Sequence, residues 1–98
     1  RATAERIVHR AEHLPVEQRA LIEQVYVLGQ PARVVAALTG RSPRSVRRAL
    51  QRIVQRTATA EFALVAARAA EWSPHLRAVA TDLFIAGLSI RACAARRG

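Results

Sequence analysis

Apolar residues recur along this chain at spacings of three and four, and strand-type alternation is absent. Ile7, Ala11 and Leu14 open the pattern and predict a first helix near 2–13. Pro15 suits the first-turn position of a second helix running to about Leu28, where Gly29 favours a left-handed stop. A short third helix follows Pro31 and runs to about Thr39, ended by Gly40. Ser42-Pro43 reads as an N-cap and a first-turn proline, opening a fourth helix from Arg44 to about Arg56. Residues 57–60 carry weak boundary signals before an Ala-rich helix ending near Trp72. Ser73-Pro74 repeats the cap-proline signal for a helix to about Ala86. Gly87 then breaks it, Ser89 caps again, and a last short helix ends at Gly98. The expected fold class is all-α.

The glycines at 29, 40, 87 and 98 form two pairs, each separated by 58. Sliding the chain by that distance lays 1–40 over 59–98 with ten identities, among them Arg19/Arg77, Gly29/Gly87 and Arg33/Arg91. Composition bias alone would give about four. Leu14/Trp72, Val25/Leu83, Tyr26/Phe84 and Val27/Ile85 add conservative pairs. The expected organisation is a full four-helix module over 1–58, with its Arg-rich helix at about 43–56. A second, truncated copy follows over 59–98. That copy stops at its second glycine and the first residue is arginine, as expected of a piece of a longer chain.

Residues 31–56 fit a helix-turn-helix. Two helices that cross closely need a small contact residue, supplied by Ala36. The turn needs a residue at ease with positive φ, supplied by Gly40. At about 100° per residue, Leu50, Ile53 and Ala49 fall on one stripe with Val46. Arg44, Arg48, Gln51 and Gln55 fall opposite, flanked by Arg47 and Arg52. Charge sharpens this picture. Sixteen basic residues, all arginine, face seven acidic ones for a net +9, and Arg41–Arg56 alone holds six arginines and no acid. An ordinary solvated face would interleave glutamates for i,i+4 pairing.

From Leu14 to about Gln55 the chain resembles region 4 of bacterial sigma-70-type factors and the related LuxR/GerE-type domains. The resemblance rests on Leu14-Pro15, Arg19, the apolar run Val25–Leu28, Gly29, Val35-Ala36, Gly40-Arg41-Ser42, Val46 and Leu50. It recurs more weakly over 72–98, and it departs from the usual pattern at Val34, Thr39 and Arg41. It implies a module whose last helix enters the DNA major groove. Nothing in the chain resembles the sigma region that binds the promoter −10 element, so a standalone sigma factor is not expected.

The residue types then suggest a division of labour. Arg44, Ser45, Arg47 and Arg48, early in the helix, and Gln51 one turn later are placed to meet base edges. Arginine can bond guanine O6 and N7 together, and glutamine adenine N6 and N7. Ser42 and the free N–H groups of the helix start suit a phosphate, and Arg41, Arg52 and Arg56 read as phosphate clamps. The expected function is sequence-specific binding of double-stranded DNA, as a bacterial or mobile-element transcription regulator, with a homodimer left open. The alternative is a sigma-like helical module that docks on RNA polymerase or another regulator, its arginines meeting an acidic surface.

Other classes find little support. No apolar stretch approaches a membrane span, and Arg1–His13 lacks the apolar segment of a signal peptide. One cysteine, Cys93, fits a reducing compartment, so a cytoplasmic, nucleoid-associated protein is expected, with Cys93 a small buried residue. Glu5, His9 and His13 stand at i, i+4 and i+8, a spacing that can hold a metal but is more simply a solvated helix face. No phosphate loop, carboxylate pair or Ser/His/Asp set is present, so neither an enzyme nor a cofactor is expected. Tyr26 and Trp72 read best as core, with a partner-facing position the alternative for either.

Overall fold

The computed structural model describes residues 2–97, so the expected helix end at Gly98 lies outside the described residues. All the regular structure described is helical, and no helix there is long and apolar enough to cross a membrane. The chain divides into two compact units, residues 1–55 and 56–98. This division falls three residues before the expected 58/59 boundary.

In the first unit, α1 (Ala2–Arg10) tightens into a 3₁₀ turn at Ala11–His13. The Leu14 N–H closes that turn on the Ala11 carbonyl at 3.1 Å. After Pro15, α2 (Val16–Ile22) widens into a π turn over Glu23–Val27, with the Leu28 N–H on the Glu23 carbonyl at 2.9 Å. Gly29 (φ 69°) then turns the chain in the left-handed region, the stop expected at that position. After Pro31 comes α3 (Ala32–Thr39), then α4 (Pro43–Thr57), whose last two residues belong to the second unit. Ile7, Ala11, Leu14, Leu21, Ile22, Val35, Ala36, Val46, Leu50 and Ile53 are buried. Full burial of such an aliphatic side chain stabilises by about 1.5–3 kcal/mol. Tyr26 corrects the expectation of a core residue: on the π turn it is 38% exposed, and Val27 and Leu28 beside it are more so.

The second unit holds α5 (Ala60–Arg68), a 3₁₀ turn at Ala69–Glu71, α6 (Pro74–Ala80), a π turn at Thr81–Ile85, and α7 (Ile90–Arg97). Its core is Thr57, Phe62, Val65, Ala80, Ile85 and Cys93. Trp72 is half-buried. The serine caps fall where expected: Ser73 Oγ accepts from the Leu76 N–H at 3.3 Å and Ser89 Oγ from the Ala92 N–H at 3.0 Å. The weak boundary at 57–60 is a real break, capped by Thr59, whose Oγ1 accepts from the Phe62 N–H at 3.1 Å. Asp82 is buried and accepts from Arg96 Nη1, Arg97 Nη2 and, at 3.7 Å, the Cys93 thiol.

Each of these five elements lies 58 residues after its counterpart in the first unit, turn for turn. The hydrogen bonds follow the same offset: Trp72 N–H to Ala69 O at 3.1 Å, and Ala86 N–H to Thr81 O at 2.9 Å. Gly87 (φ 78°) stands where Gly29 does.

Candidate nucleic-acid interface

The turn between α3 and α4 is assembled from local chemistry. Thr39 Oγ1 donates back to the Val35 carbonyl at 2.8 Å, closing the end of α3. Gly40 (φ 70°) takes the left-handed position, which lets the Arg41 N–H reach the Ala36 carbonyl at 3.0 Å in a Schellman-type stop. Ser42 Oγ accepts from the Ser45 N–H at 3.1 Å, and Pro43 occupies the first position of α4, as expected of an N-cap followed by proline. Ala36, the small contact residue, is 2% exposed.

Along α4, Val46 (fully buried), Leu50 and Ile53 form the inward stripe, with Ala49 half-buried beside them. Arg44, Arg47, Arg48, Gln51 and Arg52 are all exposed, and make no hydrogen bond or ion pair among the described residues. No acidic residue occurs between Glu23 and Glu61, so nothing along this stretch of chain neutralises them. Five unsatisfied polar heads on one side of a 15-residue helix make a surface that is stable only in water or against an anion.

The remaining candidates divide into two groups. Arg41, Ser42 and Ser45 are tied together at the start of α4: Arg41 Nη2 donates to Ser45 Oγ at 3.1 Å and to the Ser45 carbonyl at 3.4 Å, while Ser42 caps. Arg41 and Ser42 are exposed and Ser45 is half-buried. The expectation of several free N–H groups at this helix start is corrected: Pro43 has none, the Ser45 N–H bonds Ser42 Oγ and the Val46 N–H the Ser42 carbonyl, which leaves that of Arg44. Arg56 stands apart. It is half-buried, and its guanidinium lies beside Gly87 within the second unit. The helical wheel carries the signal: at about 100° per residue Arg56 falls only about 80° from Val46, on the inward flank.

Arg33 was not among the candidates. It is exposed in the first turn of α3 and has no partner among the described residues. The first helix of a helix-turn-helix crosses the nucleic-acid backbone, and its position on that helix is the signal that could have found it. Glu5, His9 and His13 are exposed, His9 pairs with Glu12 at 3.3 Å, and the described residues hold no grouping suited to a metal.

The capped turn, the buried stripe and the basic outer face define a helix-turn-helix module. Residues 4–56 match the model of the Sigma-70, region 4 family, and the chain belongs to that family. Domains of this family bind DNA and RNA polymerase. Comparison with curated proteins and with solved structures gave no match.

Proposed function

We propose that this chain binds double-stranded DNA sequence-specifically, inserting α4 in the major groove, and acts as a transcription regulator of a bacterium or mobile element. The observation that carries this reading is the unpartnered, acid-free face of Arg44, Arg47, Arg48, Gln51 and Arg52 on a well-capped helix. Arg44, Arg48 and Gln51 point most directly away from the buried stripe and serve as base readers. Arg47 and Arg52 on the flanks, Arg33 on α3 and the Arg41–Ser42 cluster serve as phosphate contacts that fix register.

A footprint on the upstream region of its own gene, with competitor DNA present, tests this directly. A discrete protected site is the expected result, and no binding even at low salt would overturn it. Arg48→Ala costs about 1–3 kcal/mol on the protected site and relaxes preference there. Equal weakening on protected and random duplexes would make Arg48 a backbone contact.

One observation favours a second reading, docking on RNA polymerase. Between α1 and the α2–π-turn segment lies an open groove of about 690 Å³, lined by the apolar Ala4, Val8, Ala11, Tyr26 and Val27 and by the polar Glu5, His9, Glu12, Arg19 and Glu23. A mixed apolar and charged groove of this kind suits a helix of a protein partner, and polymerase binding without DNA binding would favour this reading.

A further inference from the structure

The two units repeat one order of elements, so each is a reference for the other. In the first unit the groove between α1 and the α2–π-turn segment is open, and Val27 in its lining is 56% exposed. In the second unit α5 packs on its own π turn. There Phe62 takes the position of Ala4 and is buried, while Ile85 takes that of Val27 and is 3% exposed. One unit therefore has a phenyl group where the other has a methyl group, and the groove lies beside the methyl. Charge departs at neighbouring positions. Glu5, Glu12 and Glu23 line the groove, and their counterparts are Ala63, Ala70 and Thr81. Three carboxylates against the single guanidinium of Arg19 leave this lining acidic within a strongly basic chain.

A second departure lies on α7. Ile90 is 80% exposed, more than any other large apolar side chain described, and its counterpart is Ala32. Arg91 beside it is exposed and has no partner among the described residues. Ala94 and Ala95 are exposed as well, and the four residues fall within an arc of about 140°. The alanines let another element come close to the backbone of α7, and Ser89 caps the helix start. Eight residues span about 12 Å, close to the length of α1. A lone exposed isoleucine needs no explanation. Here it stands beside a free arginine on a capped helix, and the same chain carries an acidic groove short of one large apolar side chain.

We propose that the groove of one chain receives α7 of a second copy, with Ile90 entering beside Ala4 and Arg91 meeting the groove's carboxylates. Each chain offers both a groove and an α7, so the contact is heterologous and links copies head to tail. The inference goes beyond the reading of α4 and does not depend on it. A polymerase helix would compete for the same groove. The net charge of +9 on each chain opposes pairing at low salt. At about 0.15 M salt that repulsion is screened beyond roughly 8 Å, while a direct contact survives.

Sedimentation equilibrium of the whole chain, without DNA or polymerase, tests this at about 0.15 M salt and up to about 1 mM protein. The expected result is an average mass that rises with concentration. Ala4→Phe gives the first unit the residue of the second and fills the groove, whereas Ile90→Asp spoils α7. Each variant alone should weaken association at least about ten-fold. Mixed one to one they should regain pairs and stop there, since one keeps a working helix and the other a working groove. A wild-type chain that stays monomeric throughout overturns the proposal. So does association that survives either substitution, or a mixture that regains nothing. Circular dichroism checks that each variant is folded, and Val27→Asp, at an exposed position of the groove, replaces Ala4→Phe if the phenyl group is not accommodated. All these failures leave the DNA-binding reading of α4 standing, because no nucleic acid enters the measurement.

Discussion

Gly29 and Gly87 adopt nearly the same backbone conformation, so a pair of alanine substitutions separates strain from crowding. Gly29→Ala carries only the left-handed penalty, about 1–3 kcal/mol. Gly87→Ala also moves the Arg56 guanidinium, the far end of a flexible side chain, and is expected to cost only slightly more, as read by thermal melting of both variants. In the Arg56→Ala background the two substitutions should become nearly equal. Asp82 offers a second test at this scale. Its buried carboxylate gathers two guanidinium groups and a thiol, and the arginines keep 60% and 30% of their side chains exposed. Solvent therefore softens the loss in Asp82→Ala to about 1–3 kcal/mol in a denaturant titration, less than for a fully buried pair. The offset of 58 aligns Asp82 with Gln24, and Arg96 and Arg97 with Leu38 and Thr39, so the first unit lacks this lock.

The elements differ in how openly the sequence announces them. Serine before proline, glycine after an apolar run and a Thr or Ser four residues ahead of a buried position are short-range signals, and α3, α4, α6 and α7 begin or end on them. Thr59 was legible in principle, since a hydroxyl directly before an Ala-rich stretch is an N-cap, but neighbouring Thr57 and Ala58 blurred the choice. The π turns at Glu23–Val27 and Thr81–Ile85 were not legible. An i→i+5 bond uses the same residue types as an α-helix and depends on how many residues must fit between two packed contacts. Tyr26 was misread for a related reason, since the wider turn carries it outward. At α4, Ser42→Ala is expected to cost about 1 kcal/mol in thermal stability by removing the acceptor for the Ser45 N–H. Its effect on DNA affinity should be uniform across sequences, because no base-reading group is lost.

Over the whole molecule the net charge of +9 is unevenly deployed. The basic outer face of α4 was readable from the spacing of its residues, because an acid-free run of arginines on one side of a helix has few other uses. The engagement of Arg56, Arg96 and Arg97 was not, because it depends on groups 14 to 31 residues away along the chain. This division makes a test. Arg68→Ala and Arg77→Ala should leave the slope of log K against log salt unchanged, while Arg47→Ala and Arg52→Ala each lower it by about one. A drop with either of the first pair would show that the second unit also touches the polyanion.

The outer face of α4 is built of arginine and glutamine, and it contains no histidine and no lysine. Arginine keeps its proton throughout the working range of proteins and offers no amine to an acyl group. Acidification of the surroundings and enzymatic acetylation, two common ways of silencing a cationic surface, therefore leave this one untouched. If this face binds DNA as proposed, ionic strength, more than pH, is the condition that sets its affinity.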